Sequence, residues 1–192
     1  MTRTRTFFSA TAVALASLAF AGCTTTKPSD TGSATASRAS IDAQVDATLT
    51  RLYGAVPGSR DMVAKANGVL VFPAVVGASL GVGAQYGRGA LRVGGRTENF
   101  YSTTQGSLGI QAGAQSKAVI YLFNTPQALE AFRNSNGWTA GADATVAVAN
   151  IGANGNVDTN TIRQPVVGFV LTNVGLEAGV SLSGAKISKI QM

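Results

Sequence analysis

Residues 78–86, Ala78-Ser79-Leu80-Gly81-Val82-Gly83-Ala84-Gln85-Tyr86, decide the fold class. Their larger side chains fall at every second position, with Ser79, Gly81, Gly83 and Gln85 between them. Successive side chains of a strand point to opposite faces, so the stretch reads as a strand with one buried face. Residues 107–114 repeat the pattern, with Leu108, Ile110, Ala112 and Ala114 set against Ser107, Gly109, Gln111 and Gly113. Residues 119–123 are apolar on both faces, which predicts a central strand.

Further out, 69–72 is a short apolar strand that Pro73 is expected to stop, since proline has no N–H for the ladder. Trp138 begins a return, and 140–149 alternates small residues as a further strand. Residues 150–161, rich in asparagine and glycine, read as an exposed loop; 166–172 and 177–189 close the set, the latter broken at Gly184. The expected fold is mainly β with flanking helices, an α+β domain built on a small curved antiparallel β-barrel or sandwich of roughly seven to nine strands. Twenty-two of the 23 glycines lie beyond residue 22, many in these strands. Glycine weakens a strand, so it must permit sharp curvature, a bulge or the close approach of another layer. A membrane-spanning barrel would need aromatic belts that these strands lack. A glycine-zipper hairpin through Gly77/Gly81 or Gly83/Gly87 would be interrupted by Gln85, Arg88 and Arg92.

Helices flank the strands. Ser40 is expected to cap one whose stripe is Ile41, Val45, Leu49 and Leu52, ending near Gly54 to Pro57. Its opposite face is poor in lysine, which favours packing on the domain over lying in a membrane. Ser59 is read as the cap of a second helix over 60–66, and Thr125 as the cap of a third with Pro126 at its first position, running to about Phe132.

The N-terminus is of another kind. Arg3 and Arg5 precede an uncharged apolar run over 7–20, and small residues lead into Cys23, the only cysteine in the chain. The run is too short for a helix crossing a hydrocarbon core of roughly 30 Å. The pattern is that of a bacterial lipoprotein signal, in which 1–22 is removed and Cys23 is acylated. A plain secretory signal is the alternative, but it would leave a lone thiol in an oxidising compartment. Thr24 is not aspartate, so by resemblance to enterobacterial sorting signals the anchored protein goes to the outer membrane, its domain facing the periplasm, with cell-surface exposure as the other orientation. Residues 23–39, small and polar, read as a disordered tether, and 40–192 as the domain.

Composition bounds the chemistry. With the two signal arginines discounted, 13 Lys and Arg face 9 Asp and Glu, a net charge of +4. That excess suits an anionic membrane surface or an acidic partner; nucleic acid is not expected without a dense basic cluster. Histidine is absent, which excludes a histidine general base, a Ser-His-Asp relay and any histidine-ligated metal. No cofactor and no enzymatic activity are expected. Glu98, Glu130, Asp143 and Glu177 are the available acids; none pairs at a telling spacing, and Asp143 is the one to inspect for burial. Tyr101, Tyr121, Trp138 and Phe169 are expected to fill the core.

The stretches AKANGVLVFPAVV (64–76), GVGAQYGRGAL (81–91), GIQAGAQSKAVIYLFNTPQALEAF (109–132), GADATVAVA (141–149) and GLEAGVSLSGAKI (175–187) together resemble the SYLF domain in its bacterial lipoprotein branch. The resemblance implies kinship with eukaryotic actin-regulatory and phosphoinositide-binding proteins, and hence lipid binding. Actin is not an expected partner in a bacterial envelope. Relatives commonly carry a lysine where this chain has Gly77 and a glutamate where it has Ser183.

The candidate headgroup-binding residues are Arg88, Arg92, Arg96 and Lys117, with Cys23 as the lipid attachment point. Even spacing puts the three arginines on one side of a strand, with Leu91 and Val93 opposite, and guanidiniums can grip phosphate by paired hydrogen bonds. The competing reading is a solvated edge strand kept from aggregating by charge, and a turn at Gly94-Gly95 would remove Arg96 from the set. The expected function is non-catalytic binding of phospholipid or another amphiphile by a lipid-anchored periplasmic protein. The alternative is a structural or protein-interaction module of the envelope with no small ligand.

Overall fold

The computed structural model describes residues 30–109, 115–151 and 157–192. The expected signal segment, Cys23, the first part of the tether and the end of the expected 107–114 strand lie outside them. In chain order the elements are α1 (Asp30–Ala55), α2 (Ser59–Lys65), β1 (Gly68–Val93), β2 (Arg96–Gly109), β3 (Gln115–Phe123), α3 (Pro126–Arg133), β4 (Trp138–Thr139), β5 (Ala147–Val148), α4 (Thr159–Ile162), β6 (Val166–Thr172), β7 (Gly175–Leu176) and β8 (Lys186–Ile190). The strands form one sheet in the order β4-β8-β2-β1-β3-β6-β5, with β7 on β6, antiparallel except where β5 meets β6. The sheet is curled into a half-barrel, the α+β architecture expected.

β1 makes the curl. Its first part, 68–77, pairs with β3, and its second, 81–93, pairs with β2. Pro73 does not stop the strand; it sits in a bulge where the register shifts between Phe72 and Val75, a place where no ladder N–H is required. Beyond the bulge β1 folds over itself. A Cβ on Gly89 would stand 2.0 Å from the carbonyl oxygen of Val71, and one on Gly87 2.8 Å from that of Ala74. Only a residue without a side chain lets the two parts of the strand lie this close. β1 and β2 join at Gly94-Gly95, both with positive φ, so the expected turn is there.

The concave face holds the large side chains. Phe72, Tyr121, Phe123, Phe132 and Trp138 are buried together with Leu70, Leu91 and Tyr101. Trp138 meets Tyr121 at 5.9 Å and Phe132 at 5.6 Å between ring centroids, both edge to face, the arrangement that aligns a ring's positive edge with its neighbour's negative face. α3 plugs this side with Leu129 and Phe132, and Thr125 caps it by accepting from the Ala128 N–H. Burial pushes the Tyr121 hydroxyl pKa up, and raises that of Tyr101, where Glu98 adds to the effect and Arg133 opposes it.

The convex face is covered by α1 and α2. Ile41, Val45 and Leu52 pack with Val69, Val71, Ala90, Ile120 and Phe169, with Leu49 at the margin, so the apolar stripe falls where its spacing placed it. The tyrosines, tryptophan and Phe169 named from sequence are all buried.

Local chemistry moved several boundaries. α1 begins at Asp30, so Ser40 is inside the helix, its Oγ accepting from Gln44 Nε2, and is no cap; once the packed turns form the nucleus, adding further turns costs little. Gly58, not Ser59, takes the cap position of α2. Ser59 is buried and donates its hydroxyl to the Val56 and Leu52 carbonyls at the end of α1. Of the expected 140–149 strand only β5 forms, because Asp143 Oδ2 accepts from the Thr139 N–H and the Gly141 N–H bonds the Ala144 carbonyl, turning the chain. Of the expected 177–189 strand only β8 is a strand, and it starts just past Gly184.

Candidate functional site

The proposed arginine row divides on inspection. Arg88, Ala90 and Arg92 share the convex face, as their even spacing requires, while Leu91 and Val93 belong to the concave core. Arg92 is occupied: its Nη1 lies 2.9 Å from Asp46 Oδ1 and its Nη2 3.7 Å from Asp42 Oδ1, both on α1. Thr97 completes the cluster by donating its hydroxyl to Asp42 Oδ1 at 2.6 Å. The cluster holds helix to hairpin. Arg96 pairs directly with Val93 across the Gly94-Gly95 turn and so faces the other way, exposed at the hairpin tip. Lys117 pairs with Val75, on the concave side of β3. The four expected headgroup residues therefore do not converge.

Arg88 is different. It is exposed, it has no ion-pair partner among the described residues, and it lines a groove of about 600 Å³ between α1 and β1. Ser37, Ser40, Ile41 and Gln44 form the helical wall. Ala74, Val76, Tyr86 and Gly87 form the other, where the folded-over strand brings its two parts side by side. Val76 and Tyr86 keep 48% and 50% of their surface exposed, so the groove offers apolar area next to a free guanidinium and neutral hydroxyl and amide groups. The groove is absent from the sequence reading. Residues 37, 41 and 44 at helical spacing were a usable signal, but the meeting of 74–76 with 86–88 was not, because it depends on the curl.

A smaller depression of about 300 Å³ lies at the other end of α1, beside Arg51 and Val174. There the arginine is used, its Nη2 donating to the Thr172 carbonyl at 3.0 Å. The acids are structural as well. Asp143 is exposed in its turn, and Glu98 and Glu130 both grip Arg133, whose pKa they raise further. Among the described residues no group of His, Cys, Asp and Glu could hold a metal ion, and no helix is long and apolar enough to cross a membrane.

Gly77 and Ser183, the two departures noted from the sequence, are joined through a pair of glutamines. A Cβ at Gly77 would meet Gln85 Cγ at 2.6 Å, Gln85 pairs across the ladder with Gln105, and Gln105 Nε2 donates to the Ser183 carbonyl at 3.2 Å. Neutral amides fill this position, and Gln85 Oε1 is buried without a partner.

Residues 104–191, from the second half of β2 through β8, match the model of the family Ysc84, described as Las17-binding protein actin regulator. Over that stretch the chain is similar to the SYLF domain family. That family is associated with lipid and protein binding. No curated protein matches the chain. The match takes in Lys117, α3 and the Tyr121, Phe123, Phe132 and Trp138 part of the concave core, while Leu70, Phe72, Leu91, Tyr101 and every residue lining the groove precede it.

Proposed function

We propose that this chain is a lipoprotein of the bacterial outer membrane, anchored through acylated Cys23 and facing the periplasm, whose SYLF domain binds phospholipid or another amphiphile without transforming it. The reading rests on one observation above all: Arg88, with no ion-pair partner among the described residues, stands in a groove with exposed Val76 and Tyr86. A cation beside uncovered apolar side chains is the polarity of an amphiphile in reverse. The groove also sits against α1, the element through which the chain continues back toward Cys23, so an anchored molecule would carry it near the lipid surface.

Two measurements test this. Labelling with radioactive palmitate should mark the wild-type chain and leave Cys23→Ser unmarked; an unlabelled wild type removes the anchor. Native mass spectrometry of the full chain should retain dioctanoyl phosphatidylglycerol. Arg88→Gln should weaken that binding about tenfold or more, because a hydrogen-bonded charge is worth roughly 1.5–3 kcal/mol. Absence of any adduct would leave the structural alternative, a protein-contact module of the envelope.

A further inference from the structure

The groove lies toward the N-terminal end of α1, the end nearer Cys23, where Ser37, Ser40, Ile41 and Gln44 form its wall. The depression at the far end of α1, beside Val174, has its arginine already bonded to the Thr172 carbonyl. α1 is firmly placed as well. Ile41, Val45 and Leu52 are buried on the sheet, Asp42 and Asp46 pair with Arg92, and Thr97 donates to Asp42. The groove and α1 therefore move as one piece, and the chain between Cys23 and Asp30 sets how far they stand from the anchor.

That distance is short. Residues 30–39 of the expected tether are helix, in which each residue advances about 1.5 Å instead of the roughly 3.4 Å of an extended chain. A fully extended 23–39 would reach about 60 Å, whereas 23–29 reaches about 25 Å at most and α1 adds about 11 Å from Asp30 to Ser37. The near end of the groove thus stays within about 35 Å of the Cys23 sulfur, little more than the depth of one hydrocarbon core of roughly 30 Å. An amphiphile in the leaflet that holds the anchor is confined together with the groove, and confinement raises its effective concentration far above that of the same lipid in another membrane.

We infer that the groove takes its amphiphile from the leaflet that holds Cys23, and not from a facing membrane. The inference rests on the anchor and the amphiphile binding proposed above, and it names the source of the ligand.

The test places the mature acylated chain in phosphatidylcholine vesicles and supplies a phosphatidylglycerol with a photoreactive diazirine on its acyl chain, either in the same vesicles or in separate ones. After irradiation, peptides containing 74–76 or 86–88 should carry at least about tenfold more label when the probe shares the vesicle. Arg88→Gln should lower that label, which separates capture in the groove from crowding at the surface. Inserting about twenty Gly and Ser residues between Ser29 and Asp30 should lower it about fivefold, because effective concentration falls with roughly the 3/2 power of linker length, and should leave retention of soluble dioctanoyl phosphatidylglycerol unchanged. Equal labelling from separate vesicles, full labelling of the insertion variant, or an Arg88→Gln variant labelled like the wild type would overturn the shared-leaflet source. So would an unlabelled groove in a chain that still retains the soluble lipid. A chain that retains no soluble lipid loses the amphiphile reading, one that takes up no palmitate loses the anchor, and in either case the inference falls with its premise.

Discussion

On its concave face the sheet is filled by rings, Phe72, Tyr121, Phe123, Phe132 and Trp138 in mutual contact, and α3 closes what remains. On its convex face α1, with the short α2 beside it, lies over mostly valines, alanines and branched aliphatic residues, and its N-terminal end leaves the groove beside Tyr86 and Arg88 uncovered. The difference separates two jobs. A face packed with aromatic side chains in fixed geometry has no room for a ligand and sets stability, because such cores lose several kcal/mol when one large residue is removed. A face covered by two helices leaves margins, and a margin with a free cation is where binding can occur without cost to the fold.

Removing Trp138 breaks the comparison most directly. Trp138→Ala should cost about 3–5 kcal/mol, whereas Ile41→Val at the groove margin should cost about 0.5–1.5 kcal/mol, both read from urea unfolding. Similar losses for the two would mean that the faces do not divide the work. Gly89→Ala should cost roughly 3 kcal/mol, since the new methyl meets the Val71 backbone, which cannot move aside as a side chain could. Gly106→Ala is the control in the neighbouring strand: nothing lies within 4 Å of its Cβ position, and the change should stay within about 0.5 kcal/mol. A mild Gly89→Ala would show that the folded-over strand is loose.

The concave half was the more legible in sequence. Residues 119–123 and 166–172 are apolar at successive positions, Thr125-Pro126 is a strong helix start, and each became the expected element because local pattern and tertiary burial agree there. The abundance of glycine announced close approach, and Gly87 and Gly89 supply it. The groove was not legible, since it is made by residues of α1 and by two parts of β1 that meet only after the strand folds over at its bulge. Parity correctly put Arg88 and Arg92 on one face, yet nothing in their spacing tells that Asp42 and Asp46, fifty and 46 residues earlier, take Arg92 and leave Arg88 free. Serine caps failed for a similar reason. Ser40 and Ser59 have the right chemistry for a cap, but α1 extends past the one and its last carbonyls claim the other.

The concave face should also show itself at alkaline pH. Burial raises the Tyr121 pKa above the ordinary tyrosine value near 10, so the folded chain holds a proton that the unfolded chain releases. The stability this represents is complete below pH about 10 and is lost as pH rises toward the folded-state pKa, at up to roughly 1.4 kcal/mol per pH unit for the one group. Unfolding free energy measured from pH 8 to 11 should fall in the upper unit, and Tyr121→Phe should flatten the fall. An unchanged slope would mean that the hydroxyl is not the group being titrated, and that the concave core is wetter than its packing implies.

The smallest effect is the one that tells how the covering helix is held to the sheet. Arg92 ties α1 to the hairpin through Asp46 and Asp42, but Asp46 is largely exposed and its attraction is screened by water. A double-mutant cycle of Arg92→Ala with Asp46→Ala should therefore give a coupling of about 0.5–1 kcal/mol, fading at high salt. Thr97→Val removes the hydroxyl's hydrogen bond to the Asp42 carboxylate and should cost about 1.5 kcal/mol, with less dependence on salt than the ion pair. A coupling near zero would assign the hold on α1 to the apolar stripe of Ile41, Val45 and Leu52 alone.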